Sequence, residues 1–282
     1  MSLESHPPPA RWRPSPLVRA SLGLHVGALA VVLARPSAWP WAVGAVLADH
    51  ALLTAAGLTP RSRLLGPNWT RLPDAAASRR EVAITLDDGP DPRITPRVLD
   101  LLDDRGARAT FFCIGERVQR YAKLTREMVR RGHSVENHSQ RHLHSFSLLG
   151  PRGLVAEIAR AQDTIGITTG QPPVFFRAPA GLRNPFLDPV LTRLGLRLAS
   201  WTRRGFDTVN AKVEAVLGKL TRDLSAGDIL LLHDGHAALT ATGAPVILEV
   251  LPRLLDALAA ADLTPVTLRA ALAPASRPTL AP

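Results

Sequence analysis

Four short segments carry the side chains able to do chemistry. Thr85-Leu86-Asp87-Asp88-Gly89-Pro90 sets two carboxylates side by side at the end of an apolar run. Adjacent carboxylates repel unless one holds a cation or takes a proton, and Gly89 permits the sharp turn that would expose both. His138 and His142 stand four apart in Glu136-Asn137-His138-Ser139-Gln140-Arg141-His142, a spacing that lets two imidazoles reach one metal from one turn of helix. Two histidines and one carboxylate leave coordination positions open, the pattern of a catalytic metal site. Phe176-Arg177-Ala178-Pro179-Ala180-Gly181 supplies a guanidinium that can hold a carboxylate in a fork, then a loop whose backbone N–H groups could face a substrate. Leu230-Leu231-Leu232-His233 ends a buried apolar strand in an imidazole. Each segment alone also has a plain structural reading. Asp-Asp-Gly is a solvated turn, paired histidines lie on surfaces, and a lone strand-end histidine is usually structural.

The elements that must position these groups alternate. Strand candidates are Glu81–Leu86, Ala109–Cys113, His133–Asn137, Val174–Arg177, Arg197–Trp201, Asp228–Leu232 and Pro265–Leu268, all short and several followed by a turn signal. Helical stretches separate most of them. Thr95-Pro96 offers an N-cap and a first-turn proline. The stretch 117–131 ends at Gly132, and 153–165 sets Leu154, Ile158, Ala161 and Ile165 on one face. Pro252 should kink or restart the last helix. Seven strands alternating with helices imply parallel βα units in an open or closed barrel-like sheet, with ligands at the C-terminal strand ends. All four segments sit at such ends.

Composition bounds the remainder. The chain has 282 residues, 46% apolar and 21% charged, which excludes wholesale disorder. Its single cysteine, Cys113, excludes an internal disulfide framework. Of the net charge of +10, residues 1–80 carry nine Arg against Glu4, Asp49 and Asp74. That excess lies beside apolar stretches, which favours a membrane surface over nucleic acid. No basic ladder with interleaved aromatics tracks a phosphate backbone, so no nucleic-acid partner is expected. An Arg-rich genome is the plain alternative.

Two apolar blocks, Ala20–Ala34 and Trp39–Leu58, flank Arg35-Pro36-Ser37. A spanning helix needs about 20 apolar residues. The second block has the length but holds Asp49 and His50 near its middle, and a central acid costs about 2.5–3.5 kcal/mol on insertion scales. The preferred reading is a helical hairpin in a bilayer, with Asp49 facing its partner helix near His25. A signal peptide cleaved after Val32-Leu33-Ala34 and two helices packed on the domain are the alternatives. Arg11, Arg13 and Arg19 precede the pair, and Arg61, Arg63 and Arg71 follow it. The positive-inside rule then favours the cytoplasmic face of a bacterial inner membrane, whereas a signal peptide implies a periplasmic location. The expected organisation is a disordered basic, proline-rich tail over 1–16, a membrane hairpin over 17–58, a linker over 59–80, an α/β domain over 81–272 and a tail over 273–282.

TLDDG, HSQRH, RAPAG and LLH, in this order, together resemble the polysaccharide deacetylase family (carbohydrate esterase family 4) over about residues 81–270. The resemblance implies an α/β fold, a distorted seven-stranded (β/α) barrel, here preceded by the apolar helical hairpin. It implies Asp87 as general base, tethered by Arg177, and Asp88, His138 and His142 as ligands of a divalent metal ion such as zinc. His233 would be the general acid, Leu231 would line a pocket for the acyl methyl, and the Ala180 N–H would help hold the oxyanion beside Gly181. Two departures stand out. Ala180 replaces the family's usual aromatic and lowers the groove wall. Where the family's fourth motif falls, Trp201-Thr202-Arg203-Arg204-Gly205-Phe206-Asp207-Thr208, Asp207 fits the second acid, but Arg204 replaces the first acid that orients the catalytic histidine, and Thr208 replaces the trailing Trp. Either Asp207 takes over the orienting role or His233 is held differently. Arg203 and Arg204 at this rim could meet an anionic substrate.

The chemistry is coherent without the family. Amide hydrolysis needs a nucleophile, which a bound metal supplies by lowering the pKa of water towards about 7. It also needs a proton acceptor, donors at the tetrahedral oxyanion and a proton for the leaving amine, which an imidazolium gives near neutral pH. The expected function is removal of an N-acyl group, foremost acetyl, from an amino sugar in a glycan or glycolipid. Deacylation or deformylation of a polyprenyl-linked amino sugar, O-deacylation by the same machinery, and a catalytically silent glycan binder are the alternatives.

Overall fold

The computed structural model describes residues 11–273. The tails expected over 1–16 and 273–282 fall outside the described residues up to residue 10 and from residue 274. Eight strands form one sheet: β1 Glu81–Asp87, β2 Ala109–Cys113, β3 Ser134–Asn137, β4 Phe175–Phe176, β5 Arg197–Leu198, β6 Arg203–Arg204, β7 Ile229–His233 and β8 Thr264–Pro265. Their order is β5-β4-β3-β2-β1-β7-β6, with β8 paired to β1 outside this path. Every pairing between these strands is parallel. Seven parallel strands therefore curl into a distorted half-barrel whose end strands, β5 and β6, do not pair.

β1, β2 and β7 read as nearly continuous apolar runs because both of their faces are covered. The two-residue period sorts the faces. Val82, Ile84, Leu86, Phe111, Leu230 and Leu232 point outwards to the helices. Ala83, Phe112, Ile229 and Leu231 point inwards. The same alternation carries Asp87 and His233 inwards at the strand ends, where they are register partners on adjacent strands. Base and acid candidates more than 140 positions apart in sequence thus become lateral neighbours by parity and register alone.

The helices are α1 Pro16–Ala34, α2 Trp39–Gly57, α3 Asp74–Ser78, α4 Thr95–Asp103, α5 Gly115–Arg120, α6 Ala122–Arg130, α7 Pro151–Thr169, α8 Leu187–Arg193, α9 Val213–Thr221 and α10 Val246–Ala260. Several local expectations are corrected. The helix over 117–131 is two helices, because Tyr121 leaves the helical region at φ −117° and ψ 44°. Pro252 lies inside one unbroken α10. Thr95 is the first helical residue and not the cap. Its hydroxyl donates to the buried Asp234 at 2.5 Å and accepts the Asp91 N–H at 2.8 Å.

α1 and α2 pack together as a hairpin that turns over Pro36–Ala38. Ser15 caps α1 by accepting the Val18 N–H. Asp49 faces the partner helix as expected: it is buried, takes the Ser21 hydroxyl at 2.6 Å and lies 4.0 Å from His25. The hairpin's other faces are apolar and open, including Leu22, Val26, Leu29, Leu33, Trp41 and Leu47. Among the described residues, α1 alone is long and apolar enough to cross a membrane, at a mean hydropathy of 1.9. That length and composition suit a signal or a membrane anchor.

Residues 59–80 run along the gap between β5 and β6. Trp69 accepts from Ser200 and donates to Leu198, and Leu72 donates to Gly227. Leu72 and Ala76 enter the inner core beside Phe112 and Leu231.

One buried histidine ties the fold to pH. His133 is 3% exposed, and its Nδ1 accepts the Ala109 N–H at 3.2 Å. Burial, aided by Arg108, pushes its pKa down from 6.5 to about 4. The unfolded chain then takes the proton first, so this stabilisation is complete above pH 6.5 and is lost as pH falls towards 4. Acidification across that window should cost about 2–3 kcal/mol through this residue. His133→Gln, which keeps an acceptor but does not titrate, should show a flatter melting-temperature profile. Parallel profiles for the two proteins would remove His133 as the cause.

Candidate active site

The loop after β1 begins the site. Asp87 Oδ1 accepts from Arg177 Nη1 at 2.6 Å. Arg177 is 1% exposed, yet each guanidinium nitrogen has an acceptor: Thr85 Oγ1 at 2.9 Å, the Ala199 carbonyl at 3.2 Å and the Ser200 carbonyl at 2.7 Å. The guanidinium also lies 4.0 Å over the Phe112 ring. Burial lowers the Arg177 pKa, and Asp87 opposes that shift. A buried guanidinium with every nitrogen bonded fixes one Asp87 oxygen and leaves the other towards the cavity.

Asp88 sits at φ +71°, a left-handed conformation that Asp tolerates better than most residues. Among the described residues its Oδ1 is buried without a hydrogen-bond partner. His138 Nε2 lies 3.4 Å and His142 Nε2 3.3 Å from that same oxygen. The Arg177 carbonyl accepts from His138 Nδ1 at 2.8 Å, so the lone pair of the neutral ring is on Nε2, facing the carboxylate. Two acceptors face to face need a proton or a cation between them. Where protons take that place, burial works against the Asp88 charge, but hydrogen bonds from protonated His138 and His236 and the histidine charges hold its pKa below the carboxylate range. Burial and the His138 charge push His142 down to about 4, which leaves it a neutral ligand at pH 7. The orphaned oxygen, the tautomer set by a backbone carbonyl and the two-imidazole, one-carboxylate set all fit a divalent ion. This Asp/His/His group is the candidate metal site.

The two histidines do not share a helical turn, contrary to the spacing argument. They come from the loop after β3, where Ser139 and His142 have φ of +64° and +53°. Asn137 Oδ1 accepts the Ser139 N–H at 2.9 Å, and Ser139 Oγ accepts the His142 N–H at 3.0 Å. These local side-chain bonds replace the helical ladder. A second His/Asp group, His25, Asp49 and His50, lies in the hairpin. There the imidazoles meet at 3.1 Å and Ser21 already serves the acid.

Opposite the histidine pair, Asp207 Oδ1 lies 2.8 Å from His233 Nδ1, and its Oδ2 accepts the His233 backbone N–H at 2.7 Å. Asp207 therefore orients His233, and Arg204 does not disturb that bond. Burial lowers the His233 pKa, but the Asp207 hydrogen bond and charge, with Asp87 and Asp88, more than offset it and raise the value above 6.5.

One cavity of about 220 Å³ is lined by Asp87, Asp88, His138, His142, Ala180, Gly181, Trp201, Arg204, Leu231 and His233. Arg177 and Asp207 lie behind it and hold Asp87 and His233. Gly181, at φ +74°, lets the loop pass tightly against Pro60 and Trp201. The parity of β6 separates the two rim arginines. Arg204 registers with Leu231 and faces the cavity. Arg203 registers with Leu230 and bonds the buried Asp228 at 2.7 Å; it is an internal ion pair and not a rim group. The cavity also holds Thr208 and His236, which sequence reasoning did not select as site residues. His236 Nδ1 lies 3.4 Å from Asp88 Oδ2 and its Nε2 3.1 Å from Arg117 Nη2. A second histidine three residues after His233, in HDGH, was the available signal.

Residues 74–199 match the polysaccharide deacetylase family profile. A peptidoglycan-N-acetylglucosamine deacetylase of Bacillus cereus is 37% identical over 175 residues, which cover 61% of this chain and 81% of that protein. A chitooligosaccharide deacetylase of Azorhizobium caulinodans is 32% identical over 159 residues, covering 56% of this chain and 75% of that one. Among solved structures, a family 4 carbohydrate esterase from Streptomyces lividans in complex with acetate superposes at a TM-score of 0.59. It is 33% identical and covers 66% of this chain and 91% of the esterase. With the half-barrel and the Asp/His/His cluster at its strand ends, these likenesses make the chain a member of the polysaccharide deacetylase family, carbohydrate esterase family 4, a hydrolase of non-peptide carbon–nitrogen bonds.

Proposed function

We propose that this protein removes the acetyl group from N-acetylglucosamine units of a peptidoglycan- or chitooligosaccharide-type glycan, the substrates named for its relatives. The observation that carries the proposal is the pairing across one small cavity of Asp87, fixed by Arg177, with His233, fixed by Asp207, around the Asp88/His138/His142 cluster. The donor set of two imidazoles and one carboxylate suits zinc. A divalent ion bound there supplies Lewis acidity and lowers the pKa of water. Asp87 takes the water's proton, and Arg177 keeps that carboxylate aimed. The Ala180 N–H donates to the developing oxyanion, Leu231 receives the acetyl methyl, and Trp201 walls the sugar. His233 delivers its proton to the leaving amine. Arg204, stacked 5.5 Å from Trp201 with a buried Nε that has no partner among the described residues, offers a hydrogen bond to a polar or anionic group on the sugar.

The apolar hairpin favours a membrane-associated enzyme held through residues 17–58 at the inner membrane, with the flanking arginines favouring the cytoplasmic face. On that reading a lipid-linked amino sugar, acetylated or formylated, is the second substrate class.

The test is amine and acetate release from N-acetylglucosamine oligomers by the full chain in detergent, with and without chelator. Turnover that chelation abolishes and added zinc restores is the expected result. Turnover that persists after chelation would overturn the metal-dependent mechanism. Release from O-acetylated but not N-acetylated sugars would reassign the bond.

A further inference from the structure

The hairpin and the α/β domain share an apolar groove whose loops also reach the catalytic cavity. It encloses about 350 Å³ between the C-terminal half of α2, through Leu53 and Leu58, and the loops carrying Leu148 and Phe186. Leu58, Leu148 and Phe186 are 58%, 84% and 51% exposed, and the groove continues the open apolar faces of the hairpin. A soluble protein leaves few such contiguous patches.

Arg183 lines one end of this groove. It is 4% exposed, its Nη2 donates to the Ser62 carbonyl, and its Nε is buried with no partner among the described residues. Asp188 is the acid facing it, and that carboxylate already accepts from Trp12 at 2.8 Å. Beyond Phe186, a second apolar hollow is flanked by Arg152 and Arg193. Apolar walls with a buried guanidinium at one end suit an amphiphile with an anionic head.

Two loops feed both this groove and the catalytic cavity. One carries His142 in the cavity and Leu148 in the groove; the other carries Gly181 and then Arg183. Two residues of chain reach at most about 7 Å, roughly the span of a phosphate and part of a sugar. Gly57 fixes the geometry, because a Cβ there would collide with the Arg183 carbonyl oxygen. Hairpin and catalytic loop are thereby locked together.

We infer that this groove holds the hydrocarbon chain of an anionic lipid-linked amino-sugar substrate, with Arg183 near its phosphate and the acylated sugar in the catalytic cavity. The inference rests on the deacetylase reading and names its substrate class.

The test uses the full chain in detergent micelles with farnesyl phosphate as probe, against farnesol and inorganic phosphate. Farnesyl phosphate should bind, farnesol at least tenfold more weakly, and inorganic phosphate should not displace it. The double variant Leu148→Glu/Phe186→Glu changes exposed side chains and should weaken farnesyl phosphate at least tenfold. Its amine release from soluble oligomers should stay unchanged. Arg183→Gln should narrow the gap between farnesyl phosphate and farnesol. Equal binding by wild type and the double variant, or displacement by inorganic phosphate alone, overturns the groove assignment. If farnesyl phosphate maps to the groove but no acylated amino sugar is hydrolysed, the deacetylase reading fails instead.

Discussion

His233→Ala is expected to lower kcat by roughly 10²–10⁴ with KM little changed, the loss associated with a missing general acid. Asp207→Asn should fall in the same range, and the double variant should be little worse than His233→Ala alone. Asp207 uses both oxygens on His233, one for the ring and one for the backbone N–H. An amide keeps only one acceptor. If its oxygen stays on the backbone N–H, its NH₂ faces Nδ1 and cannot stabilise the imidazolium. The pH profile separates this role from a merely structural one. The His233 pKa lies above 6.5 in the folded protein, with Asp207 the first of the groups that raise it against burial. A general acid must be protonated, so wild-type kcat falls as pH rises through that value. In Asp207→Asn the alkaline limb should move to lower pH. An unchanged limb with a lowered kcat would make Asp207 a folding residue only.

What could be read beforehand divides along physical lines. β1 and β7 were legible because a nearly continuous apolar run of five to seven residues ends in a turn signal. β6 was not, since two arginines have no apolar period and owe their strand state to pairing with β7. That pairing also decides the fates of Arg203 and Arg204, which sequence alone treats alike. That Asp88, His138 and His142 form one cluster was legible by residue type, whereas its backbone was not. A four-residue spacing reads as helix until the Asn137 and Ser139 side chains take the N–H groups that a helix would use. Residues 59–80 look like a polar connector, and only the long-range bonds of Trp69 and Leu72 reveal their place against the open sheet edge. Likewise nothing near Arg183 in sequence announces Gly57, Ser62 or the hairpin. Tertiary contact alone assembles that corner.

Asp88→Asn should reduce kcat/KM by about 10³ or more and strip the catalytic metal during dialysis. A metal ion at such a centre is worth several kcal/mol in the transition state, and about 1.4 kcal/mol is a factor of ten in rate. Asn is the informative replacement because it keeps the left-handed conformation that Asp88 adopts at φ +71°, whereas Ala would add backbone strain to the loss of charge. With the carboxylate gone, His138 and His142 remain as two neutral donors, and the charge that draws a divalent ion to them is lost. Asp87 stays locked on Arg177 at 2.6 Å, so the base is present but unsupported. Elemental analysis of the dialysed protein should show one divalent ion fewer per chain than wild type. The hairpin histidines, His25 and His50, serve as the internal control, because His25→Ala/His50→Ala should leave the catalytic ion and the hydrolysis of soluble oligomers in place. An Asp88→Asn protein that keeps its metal and most of its turnover would move the metal centre away from these three residues. His236, 3.4 Å from the other Asp88 oxygen, would then be the next side chain to remove.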